Sequence, residues 1–134
     1  MEICTHPEFV EDRSREERLR ALMAGDIFEA RNDAGLPMIC LVESIDETGI
    51  FAHDITTQIA LRFDRKSGEI SQNNKGYAGS ILSIEPLPSY THNTLLGLDR
   101  RYRLAQRSAE STRLKRSEID ALTSIREHFE AHPV

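Results

Sequence analysis

Apolar, β-forming residues recur in short runs between residues 26 and 85, and turn-forming residues separate the runs. In the segment 58–64, Ile59, Leu61 and Phe63 alternate with Gln58, Ala60 and Arg62, which is typical of a half-buried strand. The pattern predicts five short strands, over residues 26–31, 38–45, 50–55, 58–64 and 80–85. Because short turns join consecutive strands, we expect an antiparallel meander.

Five strands of this length usually curl into a small barrel or a strongly bent sheet, which leaves few open edges. In strand count and spacing, residues 26–86 resemble SH3-like small barrels. The resemblance includes no diagnostic motif, so it implies a fold outline and no family.

Helical periodicity flanks the predicted strands. A helix is expected over residues 14–24, with Leu19, Leu22 and Met23 facing inward and Gly25 ending it. After Pro86 and Pro88, a second helix is expected over residues 94–107, capped by Thr91 or Asn93. A third helix is expected to start at Ser117, and its apolar stripe comprises Ile119, Leu122, Ile125 and Phe129.

The predicted fold class is therefore α+β, with an N-terminal helix, a five-stranded antiparallel small barrel or bent sheet, and two C-terminal helices. A chain of 134 residues matches the usual size of one domain. We expect a single domain over residues 1–134. Its parts are an N-terminal helical segment (1–25), a β-barrel (26–86) and C-terminal helices (87–134).

Composition indicates an ordinary globular protein, since 39% of residues are hydrophobic and 29% are charged. No apolar run approaches the ~20 residues needed to span a bilayer, and the acidic N-terminus does not resemble a signal peptide. The two cysteines are too few for a disulfide scaffold. Cys40 lies in an apolar run and is expected to be a small buried hydrophobe. These features favour a reduced, cytoplasmic protein without membrane contact.

The net charge of -5 is distributed unevenly. Residues 1–99 carry 9 basic and 17 acidic side chains, whereas residues 100–116 carry 7 basic side chains and one acidic one. Guanidinium groups match phosphate oxygens bidentately, so this basic segment is a candidate polyanion-binding site. The alternative is a solvated helix face whose cations pair with the protein's own acids. The candidate residues are Arg100, Arg101, Arg103, Arg107, Arg113, Lys115 and Arg116.

Histidines supply the remaining candidate chemistry. His128 and His132 are spaced i and i+4 on a helix and are weak candidates for metal ligands, because a third ligand is not evident. His53 and Asp54 are adjacent on a strand and therefore face opposite sides. The register is open at this stage, although a buried, hydrogen-bonded His53 is favoured. Residues 90–93 are expected to form a polar loop and helix cap.

No phosphate-binding loop, dinucleotide fingerprint, nucleophile elbow or C-x-x-C motif occurs, and no cofactor is predicted. We therefore expect a small binding or regulatory module that acts through protein contacts or self-association. Nucleic-acid binding through residues 100–116 is the first alternative. An enzyme of unrecognised type, using His53, His92 or the pair His128 and His132, is the second, and a pocket that joins one of them to a carboxylate would favour it.

Overall fold

The computed structural model describes residues 15–71, 78–108 and 113–134, except for the side chains of residues 107 and 108. Residues 15–20 form the helix α1, and five strands and two longer helices follow. The strands are β1 (Ile27–Asn32), β2 (Pro37–Ile45), β3 (Gly49–Asp54), β4 (Ala60–Asp64) and β5 (Gly79–Ser83). The helices are α2 (Ser89–Ser108) and α3 (Arg116–Glu130).

The five strands form one antiparallel sheet in the order β4-β3-β2-β1-β5, which curves into a half-barrel. Residues 68–71 connect its two edges: the Ser71 amide donates to the Arg62 carbonyl on β4, and the Ile81 amide on β5 donates to the Gly68 carbonyl. The α+β class and the five-stranded antiparallel sheet are thus confirmed. The expected meander holds for β1 to β4 but was wrong for β5, which pairs with β1 at the edge opposite β4. The resemblance of the sheet to SH3-like barrels is not tested by its strand order, so it stays a prediction.

One face of the sheet packs against α1 and the loops around it. Phe28 and Phe63 meet edge to face there, with ring centroids 5.1 Å apart. Leu19 and Leu22 join this core as predicted, but Met23 was wrongly expected to face inward and is 67% exposed. The physical reason is that α1 ends early, because after residue 20 the chain makes i to i+3 hydrogen bonds that turn the next side chain outward.

Cys40 lies on this same face and is fully buried, as expected. Burial raises the pKa of its thiol well above the ordinary value, with a further contribution from the charge of Asp54. Because the thiolate is the reactive form, Cys40 is a packing residue and not a nucleophile.

The other face of the sheet is covered by α2 and α3, so both faces are buried. The helices contribute Leu95, Leu98, Ile125 and Phe129 to this second core. The predicted stripe of α3 was wrong at Ile119, which is 45% exposed. The buried stripe instead begins one residue earlier, at Glu118, because that carboxylate pairs with Arg101 on α2.

The helix α2 begins at Ser89, directly after the second proline and five residues before the predicted start. The His92 amide already donates to the Pro88 carbonyl at 2.9 Å, so residues 90–93 form the first turn of a helix and not a loop. Within the described ranges, no helix is long and apolar enough to cross a membrane.

Candidate functional site

His53 occupies the junction between the sheet and α2, where both of its ring nitrogens meet carboxylates. Nε2 lies 2.6 Å from Oδ1 of Asp99 on α2, and Nδ1 lies 2.7 Å from Oε2 of Glu43 on β2. The Asp99 side chain is 2% exposed and that of His53 is 9% exposed, whereas that of Glu43 is 54% exposed. The ring therefore connects a buried carboxylate to a carboxylate that reaches solvent.

Asp99 has a hydrogen-bond partner at each of its oxygens. Its Oδ1 also accepts a bond of 2.8 Å from Nε2 of Gln58, and its Oδ2 accepts one from Arg103 on the next turn of α2. Burial by itself would raise the pKa of Asp99, but the hydrogen bonds from Gln58 and His53 and the nearby positive charges outweigh it and lower the pKa below its usual 3.8. Asp99 is therefore ionised at neutral pH.

The two carboxylates constrain where the protons of His53 are. A neutral imidazole donates from one nitrogen only, whereas an imidazolium donates from both. With Asp99 ionised, the proton on Nε2 is held by that carboxylate. The contact between Nδ1 and an ionised Glu43 is a hydrogen bond only when Nδ1 is protonated as well. The donor and acceptor roles of the two ring nitrogens therefore depend on the tautomer of His53.

The backbone is irregular on both sides of His53. Glu43 lies where the register between β2 and β3 shifts, so the strand bulges at this residue. Gln58 has a φ of +62°, and it is the one non-glycine residue with positive φ among those described. Bulges re-aim side chains next to binding sites, and residues held in unfavourable φ regions cluster at functional sites. The side chain of Glu43 contacts His53 directly, and that of Gln58 contacts Asp99.

An open depression of about 430 Å³ lies beside the ring. Leu41 and Ala60 supply its apolar part, and the polar part comes from Glu43, His53, Gln58 and Arg103. Glu43 lines the depression and Asp99 does not, so the Nδ1 side of the ring is turned toward the opening. We name His53, Asp99, Glu43, Gln58 and Arg103 the His53 cluster.

Sequence reasoning left the orientation of His53 open, and strand pairing now settles it. His53 is opposite Leu41 on the face that α2 covers, while Asp54 lies on the other face and caps the following turn through Thr56. The prediction of a buried, hydrogen-bonded His53 is confirmed. Its partners Glu43 and Asp99 were not predicted, since 10 and 46 residues separate them from it and no spacing signal connects them.

The predicted basic segment is divided among several environments. Arg101 bonds to Glu118 and to the carbonyl of residue 113, Arg116 bonds to Asp120, and Arg103 belongs to the His53 cluster. Arg100 and Lys115 instead line a second depression of about 340 Å³ between α2 and α3. Arg113 is exposed, and the side chain of Arg107 lies outside the described residues. Polyanion binding by these residues stays a prediction.

The candidate metal pair lies at the end of α3. The rings of His128 and His132 have centroids 5.2 Å apart, and Nδ1 of His132 lies 2.9 Å from the carbonyl oxygen of His128. That nitrogen therefore already has a partner. In the part of the chain that the structure describes, no three or more His, Cys, Asp or Glu residues are grouped to hold a metal ion.

Comparison with protein-family models, with curated proteins and with solved structures finds no significant match to this chain.

Proposed function

We propose that this protein is a small binding module whose ligand site is the depression at the His53 cluster, and that the ligand carries a carboxylate group. The observation that carries the proposal is the contact between Nδ1 of His53 and the half-exposed carboxylate of Glu43. A side chain of the protein itself already places a carboxylate against an oriented imidazole at the floor of an open depression.

Glu43 is suited to being displaced. It is 54% exposed, and His53 is the only partner that its carboxylate has within the described residues. Rotation of this side chain into water would expose Nδ1 without disturbing the buried bond between His53 and Asp99. A ligand carboxylate would then accept the same hydrogen bond, with the charge assistance that strengthens such bonds.

The surrounding charges favour an anionic group over a cationic one. The charge of Asp99 is buried and paired with Arg103, whose guanidinium is 48% exposed and lines the depression. Once Glu43 has moved away, the ligand would meet the guanidinium of Arg103 and Nδ1 of His53. A cationic ligand would be repelled by Arg103.

The test is a titration with acetate, propionate and succinate, followed by the imidazole and amide resonances of the protein. We expect saturable shifts centred on His53 and Gln58. His53→Gln should abolish them, and Glu43→Gln should lower the dissociation constant because it weakens the internal competitor. Glu127→Gln, at an exposed glutamate of α3, removes the same charge elsewhere and should leave the dissociation constant unchanged. Shifts that do not saturate, or that survive His53→Gln, would refute the proposal.

A second candidate function, proton-transfer catalysis, is favoured by the buried Asp99–His53 pair. An aspartate that orients an imidazole is the arrangement that general-base catalysis uses. Among the residues that the structure describes, those lining the depression include no serine, threonine or cysteine, so His53 would act on water or on the ligand directly. Turnover of a panel of activated esters that is abolished by His53→Gln would distinguish this candidate from binding alone.

Polyanion binding is favoured by the depression that Arg100, Arg101 and Lys115 line between α2 and α3. This candidate predicts binding to RNA or DNA that weakens steeply as salt is added. Arg100→Gln combined with Lys115→Gln should weaken it strongly, while Arg116→Gln, at a side chain paired with Asp120, should weaken it less. Equal binding by all variants would exclude this candidate.

Protein contacts and self-association rest on the sequence alone. The exposed large apolar side chains within the described residues are scattered over different elements. Single exposed apolar residues are normal on monomeric proteins. They therefore do not favour a protein partner over the His53 cluster, and a molar mass from light scattering would test self-association. The side chains are Met23, Leu36, Tyr90, Leu104 and Ile119.

A further inference from the structure

A third depression, of about 280 Å³, lies away from the His53 cluster and is mainly cationic. It is lined by Arg20 at the end of α1, by Arg65 and Lys66 in the turn after β4, and by Glu47 in the turn between β2 and β3. Three cations and one anion stand out in a protein whose net charge is -5. The elements that carry these residues lie far apart in the sequence, and no spacing signal connects them.

Arg65 has an unused donor at this site. Its Nη1 donates to the carbonyl oxygen of Asp46 at 2.9 Å, but its Nε is buried and has no hydrogen-bond partner in the described part of the chain. A buried donor without an acceptor costs free energy, so native proteins normally satisfy such groups with protein, water or an ion. Nε of Arg65 is therefore a donor for which the described residues supply no acceptor.

The two turns that carry the cations are held rigidly. Oδ1 of Asp46 accepts the amides of Thr48 and Gly49, and Oδ1 of Asp64 accepts the amides of Lys66 and residue 67. These backbone hydrogen bonds lower the pKa of both aspartates, and burial opposes the shift. The carboxylates are therefore directed at their own turns, and the cations are left facing the depression.

The turns are also connected to each other, since the Arg65 amide donates to the Thr48 carbonyl at 3.0 Å. A site that is rigid before binding loses less conformational entropy when a ligand arrives. Its volume is close to the lower limit of about 300 Å³ for small-molecule pockets, which suits a compact ligand. Arginine and lysine together bind tetrahedral oxyanions well, because the guanidinium offers a planar fork and the ammonium a mobile charge.

We propose that this depression binds a phosphate group, either as inorganic phosphate or as the phosphate of a small phosphomonoester. The guanidinium of Arg65 donates to the phosphate oxygens, and the ammonium of Lys66 and the guanidinium of Arg20 supply further charge. Arg20 is available because its pairing with Glu16 is an exposed surface contact at 3.1 Å, and such contacts contribute little. Glu47 opposes binding and selects against weakly held anions.

The test is calorimetry of the intact protein at low ionic strength with inorganic phosphate, and separately with glycerol 3-phosphate. We expect saturable binding at one site. Arg65→Lys retains the charge but removes the planar guanidinium fork, and it should raise the dissociation constant about tenfold, the effect of one hydrogen bond to a charged group. Arg116→Lys, at a side chain that is 89% exposed, is the matched control and should change nothing.

Two further variants test the site independently, in case the Arg65 variant does not fold. Lys66→Gln lies on an exposed side chain and should also weaken binding severalfold, whereas Glu47→Gln should strengthen it severalfold. No saturable binding up to about 10 mM phosphate, or equal binding by all four variants, would overturn the proposal. Binding that is lost in His53→Gln and retained in Arg65→Lys would overturn it too, and would assign the phosphate to the His53 cluster.

Discussion

Replacing Asp99 by asparagine tests the most buried part of the His53 cluster. The substitution keeps the size of the side chain and one acceptor oxygen, but it removes the charge opposite Nε2 of His53. The NH2 group of the asparagine also faces the guanidinium of Arg103, and two donors cannot form a hydrogen bond with each other. Asp99 is 1% exposed, so water cannot replace the lost acceptor.

The magnitude follows from the environment of each partner. A net hydrogen bond to a charged group contributes about 1.5–3 kcal/mol, and breaking a buried ion pair by removing one member costs about 3–5 kcal/mol. Arg103 is half exposed, so water compensates its loss and its share is small. We therefore expect Asp99→Asn to lower the free energy of unfolding by about 2–4 kcal/mol.

Urea denaturation at pH 7 measures this loss as a lower midpoint at an unchanged slope. Asp120→Asn is the matched control, because Asp120 pairs with Arg116 on the exposed side of α3 and should lose less than about 1 kcal/mol. The pKa of Asp99 is lowered in the folded state, so its stabilisation is present above pH 3.8 and is lost as the pH falls below that value. A loss no larger than that of the control, or a difference from the parent protein that is the same at pH 7 and pH 3, would refute the reasoning.

Three other outcomes follow from local structure. Gly79→Ala places a Cβ 2.2 Å from a backbone oxygen of β1 and should lower the free energy of unfolding, measured by thermal denaturation, by about 1–3 kcal/mol. Gly97→Ala, on α2 with open space around it, should raise that free energy by about 0.5–1 kcal/mol. Burial raises the pKa of Glu29, so lowering the pH from 7 to 5 should raise the free energy of unfolding of the parent protein relative to that of Glu29→Gln. A denaturation series over this pH range that shows no such trend contradicts the prediction. Cys4→Ser leaves Cys40 as the one thiol of the chain. Cys40 should then react with a thiol reagent only after unfolding, and labelling of the folded protein would show that Cys40 is accessible.

Local rules predicted the order and type of the elements well. Turn chemistry and alternation located all five strands to within about two residues, because these signals depend on neighbours in sequence. The predictions that were wrong concern positions where tertiary contacts determine which side chains are buried. Met23 faces solvent because α1 tightens at its end, and the stripe of α3 begins at Glu118 because Arg101 supplies a partner for a buried carboxylate.

The sequence by itself determined an antiparallel sheet between helices, a buried Cys40 and an unusually basic segment. Only the tertiary structure decided where chemistry can occur. It joined His53 to Asp99 across 46 residues, and it divided the basic segment between internal pairs and an open depression. The physical reason is that hydrophobic period and turn preference are properties of neighbouring residues, whereas a buried charge is stable only where the fold supplies its partners.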